Sequence, residues 1–247
     1  MTPILFALSA ALTLVSCTPS GAAEDPEDKT PKPMYELAIN QSKEGQHQAF
    51  LDTRQRFVDV LANEPATRNE GKWTPFFTVV PDLDLDRILI GMTHWTSLEG
   101  FGEAAARLMP QEEARAYFGT FDPLAYALLE PLDGKPFNME TIKREGLVVE
   151  FAIREATTEG AFGAPRDAFF ATLERYDGFR FAREFRVHEL DAQGTPRLAE
   201  NTQAVIIVWD DPARFQAAAE PIFASPEYAA FAGQLSVKTY FACSPAE

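Results

Sequence analysis

Apolar and polar residues alternate over Met34–Gln41, with Tyr35, Leu37 and Ile39 on one face, which is the pattern of a half-buried strand. The period then changes. Phe50, Thr53, Phe57, Val60 and Leu61 fall on one helical stripe. Two β-rich runs, Lys72–Val80 and Arg87–Trp95, follow, joined by a turn over Pro81–Asp86. Thr96-Ser97-Leu98-Glu99 reads as a capping-box start for a helix with Leu98, Phe101, Ala105 and Leu108 on one side, and Leu124–Leu129 reads as a closing strand. The predicted order is strand, helix, strand, strand, helix, strand.

The same order recurs downstream. Glu36-Leu37-Ala38-Ile39 matches Glu150-Phe151-Ala152-Ile153 at an offset of 114 positions, and that offset also pairs Trp95 with Trp209, Phe101 with Phe215, Ala105 with Ala219 and Tyr126 with Tyr240. Phe50 best matches Phe169, 119 positions on, so the second copy carries a short insertion around Ala156–Pro165 that is later compensated. Two copies of one unit explain this self-similarity. The second copy predicts strands over Leu147–Arg154, Phe179–Leu190, Gln203–Trp209 and Val237–Ala242, with a helix over Asp167–Tyr176. A further helix enters at Asp211 with Pro212 at its first position, and a short one starts at Ser225-Pro226-Glu227. The polar, Gly/Pro-marked stretch from Asp133 to Arg144 is the expected joint, giving repeats over 34–133 and 146–247 with a connector over 134–145.

A β-α-β-β-α-β unit is the ferredoxin-like split βαβ arrangement, and two such units packed sheet to sheet make a closed α+β barrel. Both copies resemble the dimeric α/β-barrel superfamily. The first copy in particular is similar to antibiotic-biosynthesis-monooxygenase-type domains, through Trp95-Thr96-Ser97-Leu98-Glu99 and the Ala-rich helix after it. Two chains pair their sheets in such families, so the tandem repeat implies one chain supplying both halves, a monomeric pseudo-dimer. The haem-degrading branch has an Asn late in the first strand and a Trp ending the third, where Asn40 and Trp95 stand here. It also uses a His on the second helix, and Leu98–Leu108 contains none. The resemblance therefore implies no haem ligand, and no cofactor is expected.

The N-terminal stretch adds an address. Pro3–Val15 is apolar and charge-free but shorter than the roughly 20 residues that span a bilayer, and it ends in Leu14-Val15-Ser16-Cys17. It resembles a bacterial lipoprotein signal, in which 1–16 is removed and Cys17 carries lipid. The alternative is an ordinary signal cut after Ala22-Ala23, leaving a soluble periplasmic or secreted protein. No Lys or Arg precedes the apolar run. Thr18 to Pro33 is rich in Pro and acid and reads as a tether, able to hold a globular body up to ~50 Å from a lipid surface. Thr18 is not the Asp associated with inner-membrane retention, which implies an outer-membrane destination.

Composition narrows the partners. A formal charge of −15 repels phosphate backbones and anionic headgroups, so nucleic acid is excluded and membrane contact is left to the lipid on Cys17. Cys243 is then a lone thiol near the end of the last strand, expected to pack as a small apolar residue. The Asp82, Asp84, Asp86 alternation fails the EF-hand pattern at Arg87 and Thr93 and reads as a charged turn. No zinc spacing, phosphate-binding loop, nucleophile elbow or dinucleotide fingerprint occurs, and no metal is expected.

The candidate site residues are Asn40, Trp95, Arg183 and Trp209. Trp95 and Trp209 either pack in the core or line a ligand cavity, and Asn40 is either a turn residue or part of a site. Arg183 shares a strand face with Phe179, Phe181, Phe185 and Val187, so it needs a partner: an ion pair with Glu150 or another strand acid, or an anionic group of a ligand. His94 and His188 have no paired metal ligand in sequence. The expectation is an exported, lipid-anchored α/β barrel that binds a small, largely apolar ligand between sheet and helices. The alternatives are a cofactor-free, monooxygenase-like enzyme acting on a quinol or aromatic substrate, with Asn40 and Trp95 placing it, and a structural lipoprotein without ligand.

Overall fold

The computed structural model describes residues 32–246. The Leu14-Val15-Ser16-Cys17 motif and all of the tether but Lys32 and Pro33 lie outside them. Eight strands form a closed barrel in which every neighbouring pair is antiparallel. The first half of the chain contributes β1 (Met34–Ser42), β2 (Thr67–Thr78), β3 (Ile88–Trp95) and β4 (Phe121–Pro131), with α1 (His47–Leu61), α2 (Leu98–Leu108) and α3 (Glu112–Phe118). A connecting helix, α4 (Met139–Glu145), leads to the second half. That half has β5 (Val148–Ala156), β6 (Phe179–Leu190), β7 (Pro196–Trp209) and β8 (Leu235–Pro245), with α5 (Ala164–Leu173), α6 (Pro212–Phe223) and α7 (Pro226–Ala232).

The barrel order β1-β3-β2-β8-β5-β7-β6-β4 resolves into β4-β1-β3-β2 and β8-β5-β7-β6. The two halves thus use the same internal order. They join through β2–β8 and β4–β6. Registers repeat as well: Met34 lies opposite Trp95 and Ala38 opposite Tyr126, as Val148 lies opposite Trp209 and Ala152 opposite Tyr240.

Strand alternation sorts the side chains. Tyr35, Leu37 and Ile39 of β1 and Val149, Phe151 and Ile153 of β5 point into one continuous apolar cluster that fills the barrel. The residues between them face the helices. Trp73 is fully buried at the centre, edge-on to Phe151, and Cys243 packs beside it in the same cluster as a buried free thiol. The insertion in the second copy is the turn over 157–163 ahead of α5, and its compensation is a helix of 10 residues where α1 has 15.

Two expectations are corrected in detail. The connector is not merely a polar joint, because Asn138 caps α4, Gly146 ends it in the left-handed region, and Phe137, Met139 and Ile142 enter the barrel core. Tyr35 fixes that entry, its hydroxyl accepting from Phe137 N at 2.5 Å and donating to Phe137 O at 3.1 Å. The start of α2 is also shifted by one position: Ser97 is the cap and accepts from Gly100 N, so the third helical position is Gly100 and the reciprocal Glu99 bond of a capping box is not formed.

Candidate functional site

Glu36 and Glu150 break the apolar run of β1 and β5 on the face turned toward the helices. Each meets the tryptophan that ends the third strand of its half. Trp95 Nε1 donates to Glu36 Oε2 at 3.0 Å, and Trp209 Nε1 donates to Glu150 Oε1. The Tyr240 hydroxyl donates to Glu150 Oε2, and Tyr126 faces Glu36 in the matching place. The offset of 114 therefore duplicates a whole Glu–Trp–Tyr cluster.

Burial sets the electrostatics of both carboxyls. Glu150 is 6% exposed, and desolvation pushes it up to about 7 against the opposing bonds from Tyr240 and Trp209. Glu36 is raised by burial too. Tyr240 is driven well above the usual phenol range by burial and then by the charge on Glu150.

The two halves differ around this cluster. In the first, Asn40 Nδ2 donates to the Tyr117 hydroxyl at 3.1 Å, and the Arg54 guanidinium from α1 pairs with Glu70 and interacts with Tyr117. Arg54 Nη2 lies over Gly91, at ordinary contact distance (3.5 Å) from where a Cβ would sit, and the matching residue in the second half is Val205. Asn40, Tyr117, Arg54 and Glu70 thus satisfy one another within this group.

In the second half the positions matching Asn40, Tyr117 and Glu70 hold Arg154, Phe231 and Glu184. The matching helix sends Arg166 to Glu184, and Arg154 reaches the same glutamate from β5. A cavity of about 70 Å³ remains between β5, β7 and β8 and helices α5, α6 and α7, walled by residues that include Leu173, Ile207, Phe215 and Ile222. Ala152 forms part of its floor, with Glu150 on one side and Arg154 on the other along the same strand face. Tyr228 and Tyr240 also reach it, and Val79 and Val237, 47% and 44% exposed, mark its solvent side. Its walls are thus apolar, with Glu150, Arg154, Tyr228 and Tyr240 the polar side chains that reach it. A second space of about 120 Å³, beside the end of α1 and the start of β2, is lined by Leu61, Thr67, Arg68 and Asn69. Thr67 Oγ1 and Asn69 Oδ1 have no partner there, which suits bound water.

The residues singled out in sequence are placed as follows. Trp95 and Trp209 pack edge-on to Phe101 and Phe215 and hold the glutamates, and neither lines the cavity. Asn40 is engaged by Tyr117 and stands apart from Trp95. Arg183 lies away from the cavity: it binds Asp133 at 2.7 and 2.8 Å and the carbonyls of Lys135 and Pro136, so its partner is a connector acid and not Glu150. His94 stacks on Tyr35 at 4.6 Å, and His188 faces Glu130 at 3.4 Å. Among the described residues no group of three His, Cys, Asp or Glu is placed to hold a metal ion. Glu150, Arg154, Tyr228 and Tyr240 are absent from the sequence-derived set. The signal for Glu150 and Tyr240 was the repeat itself, since two acids in apolar strands shared their offset with two Trp and two Tyr.

No protein-family model and no curated protein matches the sequence. Solved structures do match in fold. An anthrone oxidase-like protein aligns with TM-score 0.57 and 11% identity over 87% of this chain and 92% of its own. A tryptophan-to-phenylalanine variant of chlorite dismutase from Candidatus Nitrospira defluvii, in complex with cyanide, gives 0.53 and 9% over 87% and 91%. A candidate monooxygenase from Fusobacterium nucleatum gives 0.52 and 8% over 88% and 94%. At these identities the likeness is one of fold. Haem does not suit the cavity found here, because no His, Cys or Met lines it and about 70 Å³ is far too small for a porphyrin.

Proposed function

We propose that the chain is an exported, lipid-anchored small-molecule-binding protein, two ferredoxin-like repeats closed into a single-chain pseudo-dimeric barrel, with its ligand site in the second half. One observation carries the ligand reading. Two halves of matching strand order and register share a Glu–Trp–Tyr cluster, yet the first sets Asn40, Tyr117 and Arg54 in one bonded polar group beside it whereas the second keeps an apolar cavity with Glu150 and Arg154 at its floor. The anchor reading rests on Cys17 and its apolar run, with an outer-membrane or cell-surface address. Closure of the barrel within one chain supports the monomer reading.

The test is native mass spectrometry of the full chain purified from its own membranes, beside Ala152→Leu, which fills the floor. A retained non-protein mass that the variant loses supports the reading. Absence of any retained mass, together with no difference between the two proteins on adding apolar ligands, sinks it.

A second reading, a cofactor-free enzyme acting on a small phenol or quinol, is favoured by Glu150, a cavity carboxyl held near neutrality and therefore suited to proton transfer. Its residues differ from the Asn40 and Trp95 pair expected in sequence. Oxygen uptake with quinols that Glu150→Gln leaves unchanged would remove it.

A further inference from the structure

We infer that the second-half cavity takes a small monocarboxylic acid, its carboxylate received by Arg154 and its apolar body laid over Ala152 toward Glu150. This deepens the ligand-site reading and rests on it. Arg154 is 5% exposed and lines the cavity, yet its Nε has no hydrogen-bond partner among the described residues. Its one carboxylate contact is long: Nη2 lies 3.4 Å from Glu184 Oε1, where charge-assisted bonds run at about 2.7–2.9 Å. Glu184 is held more closely by Arg166, whose Nη1 stands at 2.5 Å.

Three aromatic rings flank the guanidinium, and the charge of Arg166 opposes its own. Phe231 lies 5.0 Å from its Cζ, and Phe162 and Phe170 each lie 5.9 Å away. Ring faces attract the charge but do not satisfy five directional N–H donors. Burial pushes Arg154 down to about 10, which leaves it charged at neutral pH. A buried cation with an unmade Nε–H donor, at the floor of an apolar cavity, calls for an acceptor from outside.

Chemistry then narrows the acceptor. A carboxylate presents two oxygens to the guanidinium fork and carries one charge. A phosphate or sulfate dianion would need a second cation, and Arg166 is already engaged by Glu184 and Asp167. Glu150, four residues along the same strand face, is a second acid at the far end and disfavours a further anionic group there. Size narrows the body: a cavity of about 70 Å³ is smaller than the ~150 Å³ that takes benzene. A short aliphatic chain fits the walls of Leu173, Val205, Ile207 and Ile222.

Calorimetry on the full chain at neutral pH, with butanoate and its neutral counterpart butanamide, tests the inference. Butanoate should bind the wild type at least tenfold more tightly than butanamide, Arg154→Gln should erase that preference, and Ala152→Leu should weaken both. If Arg154→Gln does not fold, the NMR shift of the Arg154 Nε–H in wild type, larger on adding butanoate than on adding butanamide, gives the same reading, and Arg154→Lys should keep only part of the preference. Equal binding of both probes to wild type, lost in Ala152→Leu, overturns the acid while leaving the ligand site standing. No binding of either probe, with no shift at Arg154, overturns both.

Discussion

Trp209 donates its indole N–H to Glu150 across the β5–β7 pair, and Trp95 makes the matching bond to Glu36 across β1–β3 at 3.0 Å. Each indole holds a carboxyl that the strand pattern alone would have turned into an apolar layer. The cost of placing an acid there appears as its raised proton affinity.

That cost predicts a pH dependence of stability. Glu150 titrates at about 7 in the fold and near 4.5 in the unfolded chain, so between those values the native state binds more protons. Its contribution is fully present below about pH 4.5 and is lost as pH rises through about 7. Glu150→Gln mimics the protonated acid, with an amide able to accept from Trp209 and donate to Tyr240. The variant should match wild type at low pH and exceed it by about 3 kcal/mol above pH 8. Urea midpoints across that range measure the difference, and a constant difference would show that Glu150 is not the titrating group.

Removing the indole donor tests the cluster from the other side. Trp209→Phe deletes a bond that lowers the Glu150 value, so its titration should move upward from about 7. Trp95→Phe should leave it unmoved, because the bond it breaks is to Glu36. Both should lose about 1–3 kcal/mol from the buried bond and the lost packing. Carbon-detected NMR of the glutamate carboxyls separates the two variants.

How much of this was legible in sequence can be argued residue by residue. Period-two and helical stripes located the strands and helices, since each element buries one face, and the offset of 114 exposed the duplication. Helix α4 went unseen although Asn138 and Gly146 bracket it, because only Met139 and Ile142 in it are apolar and their burial depends on the barrel mouth formed by distant strands. Arg154 was invisible for a similar reason. A single arginine ending a strand looks solvated until β6, α5 and α7 are placed around it. Asn40 and Trp95 were visible as types, but whether a cavity joins them depends on Arg54 lying across Gly91, which no local pattern encodes.

Gly71 predicts a packing effect at the barrel centre. Any Cβ there would overlap the six-membered ring of Trp73, which is fully buried against Phe151. Gly71→Ala should destabilise by about 1–3 kcal/mol, and Trp73→Phe in the same chain should recover part of the loss by vacating that volume. Thermal unfolding of the single and double variants checks the coupling, and additive losses would refute the contact.

Arg183 gives a negative prediction for ligand binding. Its side chain ties β6 to Asp133 and to the backbone of the connector, well away from the cavity residues. Arg183→Met should lower stability by about 1 kcal/mol or less, since Asp133 is half exposed and solvent screens the pair. Ligand affinity at the cavity should not change. A loss of affinity without a loss of stability would return Arg183 to the role of an anion-gripping residue.

The anchor reading makes the last prediction. Cys17 lies outside the described residues, and the body that follows carries the weight of a −15 formal charge. Such a surface is repelled by anionic headgroups, so nothing in its electrostatics would keep it on a bilayer once the lipid is gone. No helix among the described residues is long and apolar enough to cross a membrane. Cys17→Ser should therefore move the protein from the membrane fraction to the soluble fraction of its own cells, at high and low salt alike. Unchanged membrane partitioning of the variant would mean that a route other than the thiol holds the chain, and the ordinary-signal reading would be excluded along with it if the wild type is also membrane-bound.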